Sequence, residues 1–277
     1  MPELPEVETV RRGLQPALEG QTLKSVIVRR AKLRIPFPKD FARRLTGSKV
    51  ERLGRRAKYL FMHMQGGDVA IILLGITGHM TGISGKAPAP GKHDHVDFCT
   101  TAGATVRFND VRRFGLMTLT TEEELETHRL IKNIGPDPLA NSFSHEVLSA
   151  ALKGRATSIK AALLDQKTVA GLGNIYVSES LFRSGISPKR QAKSVQGSRA
   201  EKLTRAIQEV LREAIEAGGS TLKDHRQPDG ELGYFQHHFR VYGKDGETCP
   251  NCDDERYRIK KIVQAGRSTF YCSNCQR

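Results

Sequence analysis

The sequence predicts an α+β chain of more than one domain: a leading helix with a β-sandwich, then a helical domain, then a small cysteine-rich hairpin. Three observations carry this reading. From residue 22 to about residue 120, β-branched, aromatic and aliphatic residues alternate or run together between glycine-rich turns. After about Glu122 the apolar spacing becomes helical. Four of the 5 cysteines lie beyond residue 248.

Taken in order, the first element is a helix from Pro5 to about Leu18, where Val7, Val10, Leu14 and Leu18 recur at helical spacing. Pro5 suits a first helical turn, and Glu6 and Glu8 suit the positive end of the helix dipole. The segments "TLKSVIV", "KYLFMHM", "VAIILLGI", "HVDFCTT" and "ATVRFND" then read as strands, fitting a sandwich or a barrel. The clearest later helix is "RAEKLTRAIQEVLREAIEAGG", with Leu203, Ala206, Ile207, Val210, Leu211, Ala214 and Ile215 on one face and Gly218 and Gly219 ending it. The change from strands to helices crosses "NIGPDPLANS". The resulting division is residues 1–132, 133–240 and 241–277, without internal repeats or low-complexity segments.

A hydrophobic content of 38% in 277 residues suits a soluble globular protein. The first residues carry acid and proline where a signal peptide would carry basic and apolar residues. The most apolar stretch, "DVAIILLGITG", is far shorter than the ~20 residues a membrane-spanning helix needs. A cytoplasmic protein is therefore expected. The formal net charge is +14, and the basic residues cluster. From Arg29 to Lys58 only Asp40 and Glu51 interrupt a run of lysines and arginines, and Arg183 to Arg199 contains no acid. Two such regions point to a polyanionic partner, most simply nucleic acid.

The patterns "CPNC" and "CSNC" are separated by a spacer long enough to form a hairpin. This is the two-knuckle spacing of a zinc ribbon, in which Cys249, Cys252, Cys272 and Cys275 hold one structural zinc ion. Four thiolates close the tetrahedron and leave no position for a reacting water. Disulfides are disfavoured because nothing suggests secretion. Cys99 stands alone in an apolar segment and reads as a small buried hydrophobe.

Methionine followed by proline favours removal of the initiator, which leaves Pro2 with a free secondary amine. An α-amino group has an ordinary pKa of roughly 7.7–8.0, so part of it is neutral near physiological pH. Such an amine attacking an aldehyde-level carbon forms an iminium ion directly. Glu3 beside it suits proton transfer.

The opening "PELPEVETVRRGL" is followed, in order, by "GRRAKYL", "HDHVDF", "FNDVRRFG", "GLGNIYVSESLFRSGISP", "GGSTLKD", "GYFQHHFRVYG" and "GRSTFYCSNCQR". Together these blocks resemble bacterial formamidopyrimidine-DNA glycosylases of the Fpg or MutM type, over residues 2–277. The resemblance implies a monomeric enzyme acting on double-stranded DNA, with a helix–two-turn–helix element in the helical domain and a C-terminal zinc finger. It implies that Pro2 attacks C1′ of an oxidised purine nucleotide, that Glu3 is the general acid and base, and that Glu6 positions the N-terminus. Lys58 matches the lysine assisting β-elimination, and Arg267 the finger arginine assisting δ-elimination.

For DNA it implies that Arg112 enters the gap left by the extruded base while Phe114 wedges the stack. Ile76 is the third wedge residue. In this reading Leu74 and Ile76 of "LLGITG" replace the His and Met of the family's His-Leu-Gly-Met block, and Val111 replaces a proline. Asn174 is a phosphate donor beside Gly171 and Gly173, whose backbone N–H groups approach the same phosphate. His93, Arg155 and Lys160 grip the backbone, and Ser220 and "DGELGYF" belong to the loop covering the base. His237 and His238 are DNA-proximal or structural.

Two alternatives stay open: an endonuclease VIII-like relative acting on oxidised pyrimidines, and a non-catalytic DNA- or ribosome-binding protein on the same scaffold. Intact-mass measurement tests the shared premise of both enzymatic readings. Loss of Met1 is expected, and a retained Met1 would block the amine and exclude catalysis by Pro2.

Overall fold

The computed structural model describes residues 2–220, 228, 233–252 and 254–277. The chain forms two compact units, residues 1–132 with 217–234 and residues 133–216 with 235–277.

The first unit opens with α1 (Leu4–Leu18), which starts with a reciprocal cap: the Glu3 side chain accepts from the N–H of Glu6, and the Glu6 carboxylate accepts from the N–H of Glu3 at 2.8 Å. The chain continues through β1 (Leu23–Val28), the single helical turn α2 (Phe41–Leu45), β2 (Val50–Arg56), β3 (Tyr59–Met64), β4 (Asp68–Leu73), β5 (His79–Ile83), β6 (Asp94–Thr100), β7 (Thr105–Asn109) and β8 (Leu116–Thr121). The strands form two antiparallel four-stranded sheets, β1-β6-β7-β5 and β2-β3-β4-β8. Val7, Val10, Leu14 and Leu18 of α1 are buried in one core with Leu60, Met62 and Ile72 of one sheet and Val96, Phe98 and Val106 of the other. This is a sandwich with a leading helix.

Strand β2 was hidden in the sequence by its charges. It lies at a sheet edge, where charged side chains face solvent and oppose edge-to-edge pairing. The stretch after Glu122 is not helical as the spacing suggested. "EEELETHRL" offers too few apolar residues for a helical face, so the chain makes successive turns that bury Leu125 and Ile131.

In the second unit the helices are α3 (His145–Leu152), α4 (Ile159–Leu164), α5 (Asn174–Arg183) and α6 (Ser198–Glu216), with Ser144 and Ser158 capping α3 and α4. The predicted face of α6 is buried throughout. The C-terminal hairpin pairs β9 (Lys260–Gln264) with β10 (Arg267–Tyr271), and its Ile259 and Phe270 share a small core with Phe182 of α5 and with Cys249 and Cys272. Glu179, fully buried on α5, accepts hydrogen bonds from the N–H groups of Arg240, Val241 and Tyr242 at 2.8–3.0 Å, fixing the approach to the hairpin. No helix among the described residues is long and apolar enough to cross a membrane.

Helix α1 is anchored along β2. The Arg11 guanidinium donates to the Leu53 carbonyl at 3.3 Å, and the Leu53 N–H donates to Glu19 at 2.6 Å. Glu8 joins Arg11 and Arg12 of the helix to Arg55 of β2. Burial alone would raise the Glu8 carboxyl, but hydrogen bonds from Arg11 and Arg12 and the charges of Arg11 and Arg55 outweigh it and hold its pKa near 2. Because the folded value lies below the ordinary 4.5, the stabilisation is present above that pH and is lost as pH falls toward 2. Glu8→Gln should therefore cost about 2–3 kcal/mol at neutral pH. Chemical denaturation should show the deficit shrinking as the buffer is acidified; a pH-independent deficit would refute the charge-based account.

Candidate active site

The N-terminal residues are unusually enclosed. Pro2 is buried, Glu3 is 4% exposed and Glu6 2%. While one oxygen of Glu6 holds the Glu3 N–H, the other accepts the Ser220 N–H at 2.9 Å and the Ser220 hydroxyl at 3.0 Å. A single carboxylate thus ties the chain start to the segment after residue 216. Gly219 makes this possible: its φ is +78°, and a Cβ there would lie 3.2 Å from the Glu6 carboxylate. Ser220 bridges to Tyr234, and the Tyr234 N–H donates to the Ala217 carbonyl, which holds these two short segments together. The hydroxyl of Ser220 is engaged by Glu6, which makes it the loop's anchor. Residues 229–232 of "DGELGYF", expected over the extruded base, lie outside the described residues.

Lys58 sits in the two-residue turn between β2 and β3, where Arg56 pairs with Tyr59. It is only 7% exposed, which is rare for lysine. The preceding Ala57 takes a left-handed φ of +54°, a conformation costly for a residue with a Cβ. With α1 anchored on β2, the helix carrying Pro2 and the hairpin carrying Lys58 share one frame.

Arg112 and Phe114 are both exposed, and the Arg112 guanidinium lies 4.6 Å from the centre of the Phe114 ring. Ile76 is half-buried on a neighbouring turn, and Val111 is exposed. The reading of Leu74 is corrected: its side chain is fully buried in the sandwich core, where no phosphate could reach it. Leu73, half-buried at the end of β4, is the residue three before Ile76. His93 is half-buried just before β6, and its carbonyl accepts the Asp110 N–H.

In the second unit, Asn174 opens α5 and donates to the Ser268 carbonyl at 2.9 Å, next to the exposed Arg267. The N-cap of α5 is Gly173, which has no side chain to cap the helix. Gly171, however, donates its N–H to Gln166. Lys160 is also corrected. It is 0% exposed, and its ammonium donates to the Ser268 carbonyl at 2.8 Å and the Thr269 hydroxyl at 2.6 Å, so it holds β10 in place and is not presented to a phosphate. Arg155 is partly exposed and pairs with Asp165 at 3.1 Å. His237 and His238 are exposed, and His238 stacks on Phe235. Cys99 is half-buried.

The sulfur atoms of Cys249, Cys252, Cys272 and Cys275 lie within 4.8 Å of one another. The Cys249–Cys275 and Cys252–Cys272 separations are both 3.7 Å. Metal–sulfur bonds of about 2.3 Å in a tetrahedron require almost the same edge. Four sulfurs converging at these distances fit a bound metal ion, which would hold them as thiolates.

The N-terminal 117 residues match the formamidopyrimidine-DNA glycosylase N-terminal domain, and residues 134–226 match the H2TH domain of the same enzymes. The chain belongs to the formamidopyrimidine-DNA glycosylase family. It is 57% identical to the formamidopyrimidine-DNA glycosylase of Rhodospirillum rubrum and 53% identical to that of Azorhizobium caulinodans, with 100% of each chain covered in both cases. Among solved structures, MutM (Fpg) from Thermus thermophilus is 39% identical with a TM-score of 0.87, over 99% of this chain and 98% of that one. A Lactococcus lactis Fpg in complex with DNA containing an abasic site is 34% identical with a TM-score of 0.89, over 99% of each chain.

Sequence patterns within the family blocks did not single out Thr77, Asp110 or Glu179. Each of the three accepts at least one backbone N–H, a kind of contact that leaves no spacing signature. The altered role of Lys160 is open to test. Lys160→Met should lower the stability of the second unit by about 2–3 kcal/mol. It should leave the slope of log K against log salt for DNA unchanged, whereas removing a phosphate contact would reduce that slope by about one.

Proposed function

We propose that this chain is a DNA glycosylase and AP lyase that removes oxidised purines, 8-oxoguanine and formamidopyrimidines, from double-stranded DNA. The observation that carries the reading is the enclosed N-terminus: Pro2 is buried at the head of α1, with the adjoining Glu3 N–H fixed by the Glu6 carboxylate. A nucleophile held in one orientation has already lost the freedom that would otherwise slow attack.

The Pro2 nitrogen attacks C1′ as the bond to the damaged base breaks, and the base leaves with a proton. Glu3 protonates the ring oxygen as the sugar opens, which leaves an iminium ion between Pro2 and C1′. That cation acidifies the C2′ proton. Its removal, assisted by Lys58, expels the 3′-phosphate, and a second elimination assisted by Arg267 expels the 5′-phosphate. Arg112, Phe114 and Ile76 fill the space of the extruded nucleotide, and extrusion itself costs a few kcal/mol. Asn174, Arg267, His93 and Arg155 contact the DNA backbone, Arg155 after releasing Asp165. Ser220 anchors the loop that closes on the base.

One zinc ion on the four cysteines supplies structural energy, keeping the hairpin that bears Arg267 folded. The protein acts as a monomer in the cytoplasm, where the bacterial chromosome lies. Three functional segments, residues 1–132, 133–240 and 241–277, divide these tasks into chemistry, DNA binding and finger.

Borohydride trapping on a duplex with 8-oxoguanine opposite cytosine, followed by peptide mapping, tests the reading. A crosslink at Pro2 is expected. A Pro2 crosslink on a thymine glycol duplex alone would move the substrate to oxidised pyrimidines. Binding without any crosslink would mean that the scaffold no longer catalyses.

A further inference from the structure

We infer that Asp110 and Thr77 lock the two turns bearing Ile76, Arg112 and Phe114 into one rigid piece, which makes Asp110 a positioning residue for base extrusion. The inference rests on the glycosylase reading above.

Asp110 follows the last residue of β7 and is 0% exposed. One carboxylate oxygen accepts the Thr77 hydroxyl at 2.5 Å and the other accepts the Gly115 N–H at 2.8 Å. The same Thr77 oxygen accepts the Arg112 N–H at 3.0 Å. Thr77 therefore relays between the buried carboxylate and the backbone of the residue that enters the DNA. Asp110 is itself pinned on both sides: its N–H donates to the His93 carbonyl at 3.0 Å, and its carbonyl lies 2.8 Å from the His95 ring nitrogen Nε2. The "HDHVDF" block thus supplies the floor on which Asp110 is seated.

The two turns also touch directly. Gly75 has a φ of +83°, and a Cβ there would lie 2.4 Å from the Gly115 nitrogen and 2.5 Å from the Phe114 carbonyl carbon. Between the two exposed wedge residues, Arg113 takes a left-handed φ of +56°, strain that persists only where surrounding bonds over-determine the turn. The outcome is the close Arg112–Phe114 pair, with the guanidinium 4.6 Å from the ring centre.

A wedge offsets the loss of base stacking only if its own ordering costs little at that moment. Hydrogen bonds to a buried carboxylate set that order beforehand. The need is greater here because Ile76, β-branched and stiff at χ1, cannot adjust its aim by rotation. Its direction comes from the backbone, and the backbone is held by Thr77 and Asp110.

The test compares single-turnover release of 8-oxoguanine with strand cleavage at a preformed abasic site in the same duplex. Abasic sites need less extrusion, so a wedge defect affects them less. Thr77→Val should slow base release by about tenfold, the effect of one lost hydrogen bond to a charged group, and slow abasic cleavage clearly less. Thr77→Ser, which keeps the hydroxyl, should restore base release to within about twofold. Equal losses on both substrates, or no loss, would overturn the inference.

A double-mutant cycle guards against simple misfolding. If the lock acts through Phe114, Thr77→Val should add little to Phe114→Ala, whereas fully additive losses would show that it does not. Wild-type protein that neither releases 8-oxoguanine nor forms a borohydride adduct would refute the glycosylase reading itself, independently of these variants.

Discussion

In the first unit one buried group, the carboxylate of Glu6, holds together the start of α1 and the segment after residue 216. It stands in the first turn of α1, where the helix leaves backbone N–H groups without helical partners. One oxygen satisfies the Glu3 N–H, and the other satisfies both donors of Ser220, more than two hundred residues away. Neither contact is replaceable by packing, because apolar side chains cannot satisfy a buried N–H. The interaction therefore acts at two levels. It fixes the backbone ahead of α1 at Glu3, and it fixes Ser220 just after α6.

Two more buried carboxylates follow the same principle. Asp110 joins the turns of Thr77 and Gly115, and Glu179 gathers three successive N–H groups ahead of the cysteine hairpin. Charge-assisted bonds to backbone donors are short, directional and stronger than neutral ones. They suit irregular chain, which has no ladder or helix to satisfy its donors. Sandwich and helices provide the burial, while these three acids fix the segments between regular elements. Arg113, in a left-handed conformation, lies in the turn that Asp110 braces, and Ala57 takes the same conformation in the turn between β2 and β3. Strain of that kind needs neighbours that cannot yield.

Much of this was legible in the residues. The helical spacing of Val7, Val10, Leu14 and Leu18 and the long apolar face of α6 are properties of period, and period survives into structure. The cysteines were legible because two Cys-x-x-Cys turns need only a hairpin to bring them together. What was not legible depended on context. Lys160 reads as a grip on the DNA backbone, and only the position of β10 reveals acceptors for a buried ammonium. Leu74 looked like a replaced phosphate ligand, yet the two-residue period of β4 continued past its end places that side chain in the core. Charged edge strand β2 and the turns after Glu122 defeated pattern reading for opposite reasons: one hides a strand under charge, the other shows helix formers without a face.

The departures at the wedge take on a different meaning in this light. An isoleucine in a turn designed around a flexible side chain would weaken DNA probing if the turn itself were loose. Here the turn is braced by a carboxylate, a hydroxyl relay and a glycine contact too close for any Cβ. On the proposed role, a wedge braced in this way suits steps that already yield, such as a damaged or mismatched pair, better than adaptation to many local geometries. The stacked Arg112–Phe114 pair fits the same description, since stacking each on the other restricts both before DNA arrives. On the proposed wedge role, the aim of the probe is set by side chains, Thr77 and Asp110, that lie behind it.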